Sequence, residues 1–312
     1  RPHPADQHPH PPTLRLATRF AAICVAKLKV DEREGRVHRT PALLDRSRAS
    51  HECPAMARSR RPVTDAYGLV RAEDAARSGS SRRALQYGAT SGALRRLHRG
   101  VYATTDAPPE QLAIRGAMTH LGPESVAVLG SAAMVHGLAG LPQTWTPQLA
   151  VPPGLERRQR DGMEIHVWDL DESDVDCIEG IRVTTVVRTL ADVCRTLPDA
   201  QAVALVDSAL HLRLVRPEQL LQVRATMTRR RNCVAGRRRL DLAREGAQSP
   251  GETRIRLLAT QAGLPPDELQ VPVRDRQGRL LGYADLGYRL AGGWLLVEFD
   301  GRSGHELPQA VL

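Results

Sequence analysis

A chain of 312 residues is long enough for two or three separate cores, and its 41% hydrophobic and 25% charged residues are those of an ordinary globular protein. The net charge of +9 makes an acidic partner the first expectation, nucleic acid foremost. Five scattered cysteines (Cys24, Cys53, Cys177, Cys194, Cys233) with no C-x-x-C pair exclude a disulfide framework and a zinc site, and no apolar run reaches the roughly 18–20 residues of a membrane span. The expectation is a soluble, cytoplasmic protein with no membrane partner.

Residues 1–55 read unlike the rest. The opening "RPHPADQHPHPP" is a Pro/His-rich string that suits neither helix nor strand. The apolar stretch 20–30 is short and is broken by Lys27 and Lys29, the two lysines of the chain. The first methionine is Met56, and patterned sequence follows it. Residues 1–55 are therefore expected to be a disordered or non-native leader with Met56 as the natural start, and they stay outside the fold reading.

Residues 56–108 read as one unit. "RAEDAARSG" predicts a short helix ended by Gly79; Ser80 or Ser81 then caps a second helix, "SRRALQYGAT". "GALRRLHRGVYAT" predicts two short strands turning at Arg99-Gly100. Seven arginines fall in 71–99 against two acids, Glu73 and Asp74. Helix, tight turn, capped helix and basic hairpin form the pattern of a winged helix-turn-helix, whose second helix enters the major groove of double-stranded DNA. Ser81, Arg82, Arg83 and Gln86 are the candidate residues there, with Arg95, Arg96 and Arg99 of the wing on the phosphate backbone. The competing reading is a solvated arginine face on a small helical subdomain.

Residues 109–245 predict a central mixed α/β domain. "PPEQLAIRGAMTHL" and "VLGSAAMVHGLAGL" have helical spacing, while "TPQLAVP", "MEIHVWD" and "IRVTTV" read as strands. "VVRTLADVCRTLPDAQAVALVDSALHL" gives two helices broken near Pro198, and "RATMTRRRNCVAGRRRLDLAREG" is strongly basic at helical spacing. That run is a solvated face or a track for phosphates. His136, in an apolar helix, reads as a packed residue.

From 246 to 312 the pattern changes to a helix, "SPGETRIRLLATQAG", and then strands in "QVPVRDRQGRLLGYADLGYRLAGGWLLVEFDG". A turn centred on Ala291-Gly292 places position 285 opposite position 298, with Cβ atoms roughly 4.5–5.5 Å apart. Asp285, Glu298 and Asp300 then share one face, and Ala284, Leu286, Tyr288, Leu295, Val297 and Phe299 share the other, a core face. Opposed like charges destabilise a sheet, and Mg²⁺ on Asp285 and Glu298 would relieve the repulsion and serve phosphodiester hydrolysis. The bland alternative is a solvent-facing edge on which carboxylates only solubilise the hairpin.

Two resemblances attach to these motifs. On "LRRLHRGVYA", "LGSAAMVHGL" and "RVTTVVRTLADVCR", residues 67–245 resemble the AbiEi-type antitoxins of type IV toxin–antitoxin systems. That implies a DNA-binding regulator of its own promoter with a cognate toxin as partner. On Glu252 of "SPGE", Asp285 of "YAD", Glu298 and Asp300 of "VEFDG" and the nearby His305, residues 249–305 resemble the PD-(D/E)XK fold in the branch of the very-short-patch-repair endonucleases. That resemblance implies Asp285 and Glu298 as metal ligands, Asp300 as a third acid, Glu252 as an orienting group and His305 as general base or phosphate contact. Glu252 has a second reading, in which Ser249-Pro250-Gly251-Glu252 is a capping box. The lysine of the family pattern is absent, with Asp300 in its place, and the chain ends at "ELPQAVL" where the family continues; an incomplete domain that cleaves poorly is expected.

The expected architecture is thus α/β and multi-domain: an N-terminal winged helix-turn-helix, a central mixed α/β domain and an incomplete C-terminal restriction-endonuclease-like α/β domain. The leading function is a DNA-binding, antitoxin-like regulator. The alternatives are a Mg²⁺-dependent DNA endonuclease guided by the winged helix, and an interaction scaffold whose basic surface meets no nucleic acid. Basicity carried almost wholly by arginine suits a GC-rich, actinobacterial genome.

Overall fold

The computed structural model describes residues 64–65, 67–104, 109–142, 145–155 and 162–299, together with the backbone of a strand at 24–28. That strand, β1 (Cys24–Leu28), is the exception to the expectation that 1–55 stands outside the fold; the rest of that segment, and Asp300 and His305, lie outside the described residues.

The first unit opens with β2 (Leu69–Arg71), followed by α1 (Ala72–Arg77), α2 (Arg82–Thr90) and the hairpin of β3 (Leu94–His98) and β4 (Val101–Thr104). The tight turn between the helices uses Gly79 at φ +85°, a left-handed conformation that glycine adopts without a Cβ clash. Of the two candidate caps, Ser81 does the work: its Oγ accepts the Ala84 N–H at 3.1 Å. The three strands form an antiparallel sheet in the order β2-β4-β3, and Val70, Ala75, Leu85, Leu94 and Tyr102 fill the space between sheet and helices.

The central unit runs α3 (Pro109–Leu121), β5 (Val126–Ala127), α4 (Leu129–Val135), β6 (Gln148–Val151), β7 (Glu164–Val167), β8 (Val175–Ile178), β9 (Ile181–Thr184), α5 (Val186–Thr196), α6 (Asp199–His211), α7 (Leu220–Thr226) and α8 (Cys233–Asp241). Its sheet has the order β7-β6-β5-β9-β8, with β6–β7 and β5–β9 parallel and the other pairs antiparallel. One core joins α3 to the sheet through Ile114, Ala117, Leu149 and Val183. A second joins the sheet to α5 and α6 through Val128, Leu190, Val193 and Leu205, and extends to Val223 and Met227. The basic run of 224–246 does not form one helix. Asn232, at φ +60°, interrupts it between α7 and α8. His136 is packed, its Nε2–H donating to the Thr184 carbonyl at 2.7 Å.

The last unit is α9 (Pro250–Gln261), β10 (Glu268–Arg274), β11 (Leu280–Leu290) and β12 (Gly293–Phe299), with sheet order β1-β12-β11-β10. Pairing from Leu290↔Gly293 to Leu286↔Val297 turns on 291–292, the register on which Asp285 falls opposite Glu298. β12 is not an edge strand: β1 pairs with it in parallel, from Cys24↔Leu295 to Leu28↔Phe299. The expected single core face of the hairpin is also incomplete: Ala284 and Leu286 are buried as expected, but Leu296, on the acid face of β12, is buried too. A buried cluster welds this unit to the central one. On α6, Asp207 Oδ2 accepts from Arg256 Nη2 at 2.6 Å and Thr253 Oγ1 at 2.8 Å, both on α9, while Oδ1 accepts the Arg244 N–H at 2.8 Å.

Candidate nucleic-acid interface and carboxylate centre

Helix α2 is held against the hairpin by a single buried side chain, Leu85, and by the close approach of Gly88, where a Cβ would lie 2.9 Å from the Leu94 side chain. Its opposite face is exposed: Arg82, Arg83, Gln86 and Tyr87 all stand in solvent. Among the described residues no hydrogen bond or ion pair engages the side chains of Arg82, Arg83 or Gln86, nor those of Arg95, Arg96 and Arg99 in the hairpin, which are also exposed. Desolvated, paired arginines are spent on the fold; these five arginines are charge, and with Gln86 donor capacity, facing water. Arg95 and Arg96 are consecutive on β3 and project to opposite faces of the hairpin, so they do not form one patch. Ser81, a candidate for DNA contact, has its oxygen engaged in the α2 cap.

The sequence reading missed the joint that fixes this unit to the central sheet. Arg115 of α3 is 6% exposed and lies over the Tyr67 ring, 3.4 Å from its centroid. Arg115 Nη2 and the Tyr67 hydroxyl both donate to the Glu179 carbonyl at 2.9 Å, in the turn between β8 and β9. Glu179 adopts φ +48°, which turns that carbonyl toward them.

The second cluster lies at the N-terminus of α9. Ser249 Oγ accepts the Glu252 N–H at 3.2 Å and donates to Glu252 Oε1 at 2.8 Å, while Glu252 Oε2 accepts the Gln248 N–H at 2.8 Å. This is a capping arrangement, one of the two readings of Glu252. The same carboxylate also serves the other reading. Gln270 Nε2 donates to Glu252 Oε2 at 3.0 Å and to Asp285 Oδ1 at 3.2 Å, bridging α9 to β11. Gln270 reaches both because it leaves the ladder: it sits at φ +51° between the pairs Leu269↔Leu286 and Val271↔Ala284. Asp285 Oδ2 accepts the Phe299 N–H at 2.7 Å. The close approach of helix to sheet depends on Gly251, where a Cβ would lie 2.2 Å from the Phe299 ring. Burial, with the nearby Asp285 charge adding to it, raises the Glu252 carboxyl above the usual range despite three hydrogen bonds that oppose the shift.

Asp285 and Glu298 are both half-buried, so the acid face is not a freely solvated edge. The structure brings Glu252 and Asp285 together through Gln270, a residue that reads in sequence as an ordinary polar strand position. Among the described residues no group of three or more His, Cys, Asp and Glu side chains is placed to hold a metal ion. Asp300 and His305 lie outside that set.

Residues 65–105 match the family model described as "Transcriptional regulator, AbiEi antitoxin", and residues 125–242 match the one described as "AbiEi antitoxin C-terminal domain". These two segments are AbiEi antitoxin domains. Two proteins of Mycobacterium tuberculosis, the uncharacterized proteins MT2308 of strain CDC 1551 / Oshkosh and Rv2248 of strain ATCC 25618 / H37Rv, are each 28% identical over 237 residues. The match spans 74% of this chain and 83% of each relative. The crystal structure of the RV2827C protein from the same species overlaps 59% of this chain and 80% of its own, with a TM-score of 0.36 and 16% identity. The arginine and glutamine side chains of α2 and the hairpin that have no partner among the described residues all fall in the first AbiEi segment. The carboxylate centre, from Glu252 to Glu298, lies beyond both. No helix among the described residues is long and apolar enough to cross a membrane.

Proposed function

We propose that the protein is a cytoplasmic, DNA-binding transcriptional regulator of the AbiEi antitoxin type, acting through double-stranded DNA and a cognate toxin. Residues 56–108 are read as a winged helix-turn-helix, with α2 as the groove-entering helix and β3–β4 as the wing. One observation carries the reading: the segment matched to an antitoxin transcriptional regulator presents a helix whose arginines are exposed and unpaired among the described residues. Arg82 and Arg83 supply bidentate donors for guanine, Gln86 the complementary pair for adenine, and Arg96 and Arg99 phosphate contacts. Arg82→Ala and Arg83→Ala each weaken binding at the cognate site by about 1–3 kcal/mol in gel-shift titrations. An equal loss on random DNA would remove both from base reading.

A second reading, a Mg²⁺-dependent endonuclease of the PD-(D/E)XK kind, rests on the Glu252–Gln270–Asp285 cluster. Two carboxylates drawn together, one with its pKa raised partly by the other, are the donor chemistry that Mg²⁺ takes alongside water and substrate phosphate. Asp285 and Glu298 would hold the ion, which would stabilise charge on the phosphoryl oxygens; Glu252 would orient from α9, with Asp300 and His305 as further candidates. Supercoiled and mismatched DNA incubated with Mg²⁺ tests it. Cutting that Asp285→Ala abolishes supports an enzyme, and binding without cutting leaves a regulator alone.

A further inference from the structure

Tyr87 is the most exposed aromatic side chain among the described residues, at 75%. Nothing in the fold asks for an aromatic ring there. The small core beneath α2 is closed by Leu85 with Ala89 against it, and tyrosine favours a helix less than alanine, leucine or glutamine do. Tyr87 follows Arg83 by four residues, so the two lie on one ridge of α2, a helical turn of about 6 Å apart. The backbone at this point is held firmly. Ser81 caps one end of the helix, and at the other Thr90 Oγ1 donates to the Gln86 and Tyr87 carbonyls at 3.1 and 3.0 Å.

A rigidly presented ring beside an unpaired arginine suits one feature of the major groove. Thymine alone offers a methyl group there, and it is read by apolar contact, whereas guanine is read by the arginine fork. Resting on the reading of α2 as the groove-entering helix, we propose that Tyr87 is a specificity-determining residue that packs its ring on a thymine methyl. With α2 along the groove, that thymine lies about two base steps, at 3.4 Å each, from the guanine taken by Arg83.

The full chain is used to enrich binding sites from a random duplex library. Each thymine of the enriched site is then replaced singly by uracil, which deletes only the methyl group. One such position weakens the wild-type protein about four-fold, the affinity carried by one buried methyl-sized group. The same replacement leaves Tyr87→Ala unchanged, while Tyr87→Phe, which keeps the ring, responds as wild type. If sites are enriched and Arg83→Ala weakens them, yet no uracil position separates wild type from Tyr87→Ala, the assignment of Tyr87 is overturned and the regulator reading stands. A Tyr87→Phe protein blind to the methyl also overturns it, because the hydroxyl rather than the ring would then be the contact. Failure to enrich any site overturns the regulator reading itself, and Tyr87 with it.

Discussion

Helices α2 and α5 each carry two arginines and use them in opposite ways. On α5, Arg188 and Asp192 are almost wholly buried, at 2% and 1% side-chain exposure. Arg188 Nε donates to Asp192 Oδ2 at 2.7 Å, Arg195 Nη2 donates to Oδ1 at 2.7 Å, and Arg188 also pairs with Asp174. On α2, Arg82 and Arg83 face water with no partner among the described residues. A net charge of +9 counts both kinds alike, yet only the second kind projects a field onto a passing duplex. Which arginines stay unpaired is thus decided by the supply of nearby carboxylates: α5 has Asp192 within its own reach, and α2 carries no acid along its length.

The comparison can be broken from either side. Asp192→Ala takes the buried carboxylate away from both Arg188, which keeps Asp174 alone as its acidic partner, and Arg195, and destabilises the protein by about 3–5 kcal/mol, read by denaturant titration; a loss below about 1 kcal/mol would mean that α5 tolerates weakly paired arginines. Arg83→Ala, by contrast, leaves the thermal midpoint in place while affinity falls. Ser81→Ala removes the cap of α2 and costs about 1 kcal/mol of stability. If it lowers affinity with no change in stability, Ser81 is a DNA contact after all. Arg96→Ala reduces the slope of log affinity against log salt by about 0.9, as for one lost phosphate contact. An unchanged slope would take Arg96 off the backbone.

The smallest effect concerns pH. His98, at the end of β3, stacks on His120 of α3 with ring centroids 5.6 Å apart, and burial, with the His120 charge second, lowers its pKa below 6.5. Because the folded value is the lower one, the stability it contributes is complete above pH 6.5 and is lost as the pH falls through the folded pKa. Replacing His98 by Gln flattens that part of the stability profile between pH 7 and 5; an unaltered profile would place the titration elsewhere.

Much of this was legible in the sequence where local rules govern. Gly79 and the serines after it mark the turn between α1 and α2, and the Ala291-Gly292 pair fixes the β11–β12 register to the residue. Three kinds of feature were not. β2 and β5 have three and two residues, too few for a hydrophobic period to show. β1 lies far from its partner β12 in sequence, and pairing at that distance leaves no local trace. The positions of Gln270 and Glu179 follow from left-handed backbone conformations at residues that rarely adopt them, so side-chain type gives no warning. The exposed arginines of α2 were identified by type and spacing, but Tyr87, beside them, was hidden because an aromatic residue in a helix normally reads as core.

The joint at Glu179 has a consequence for how the sequence can drift. Arg115 and Tyr67 both bond to its main-chain oxygen, while its own carboxylate is 3.6 Å from Arg115 and largely in solvent. The alignment of the N-terminal unit with the central sheet is therefore written into the path of the chain at 179 more than into the identity of the residue there. Descendants of this protein are free to exchange Glu179 for any residue that accepts a left-handed turn, asparagine or glycine first, whereas an exchange at Arg115 alone removes both a stacked cation and a donor. The inheritance of the joint is lopsided: one end is held by the side chains of Arg115 and Tyr67, and the other by a peptide group that every residue carries.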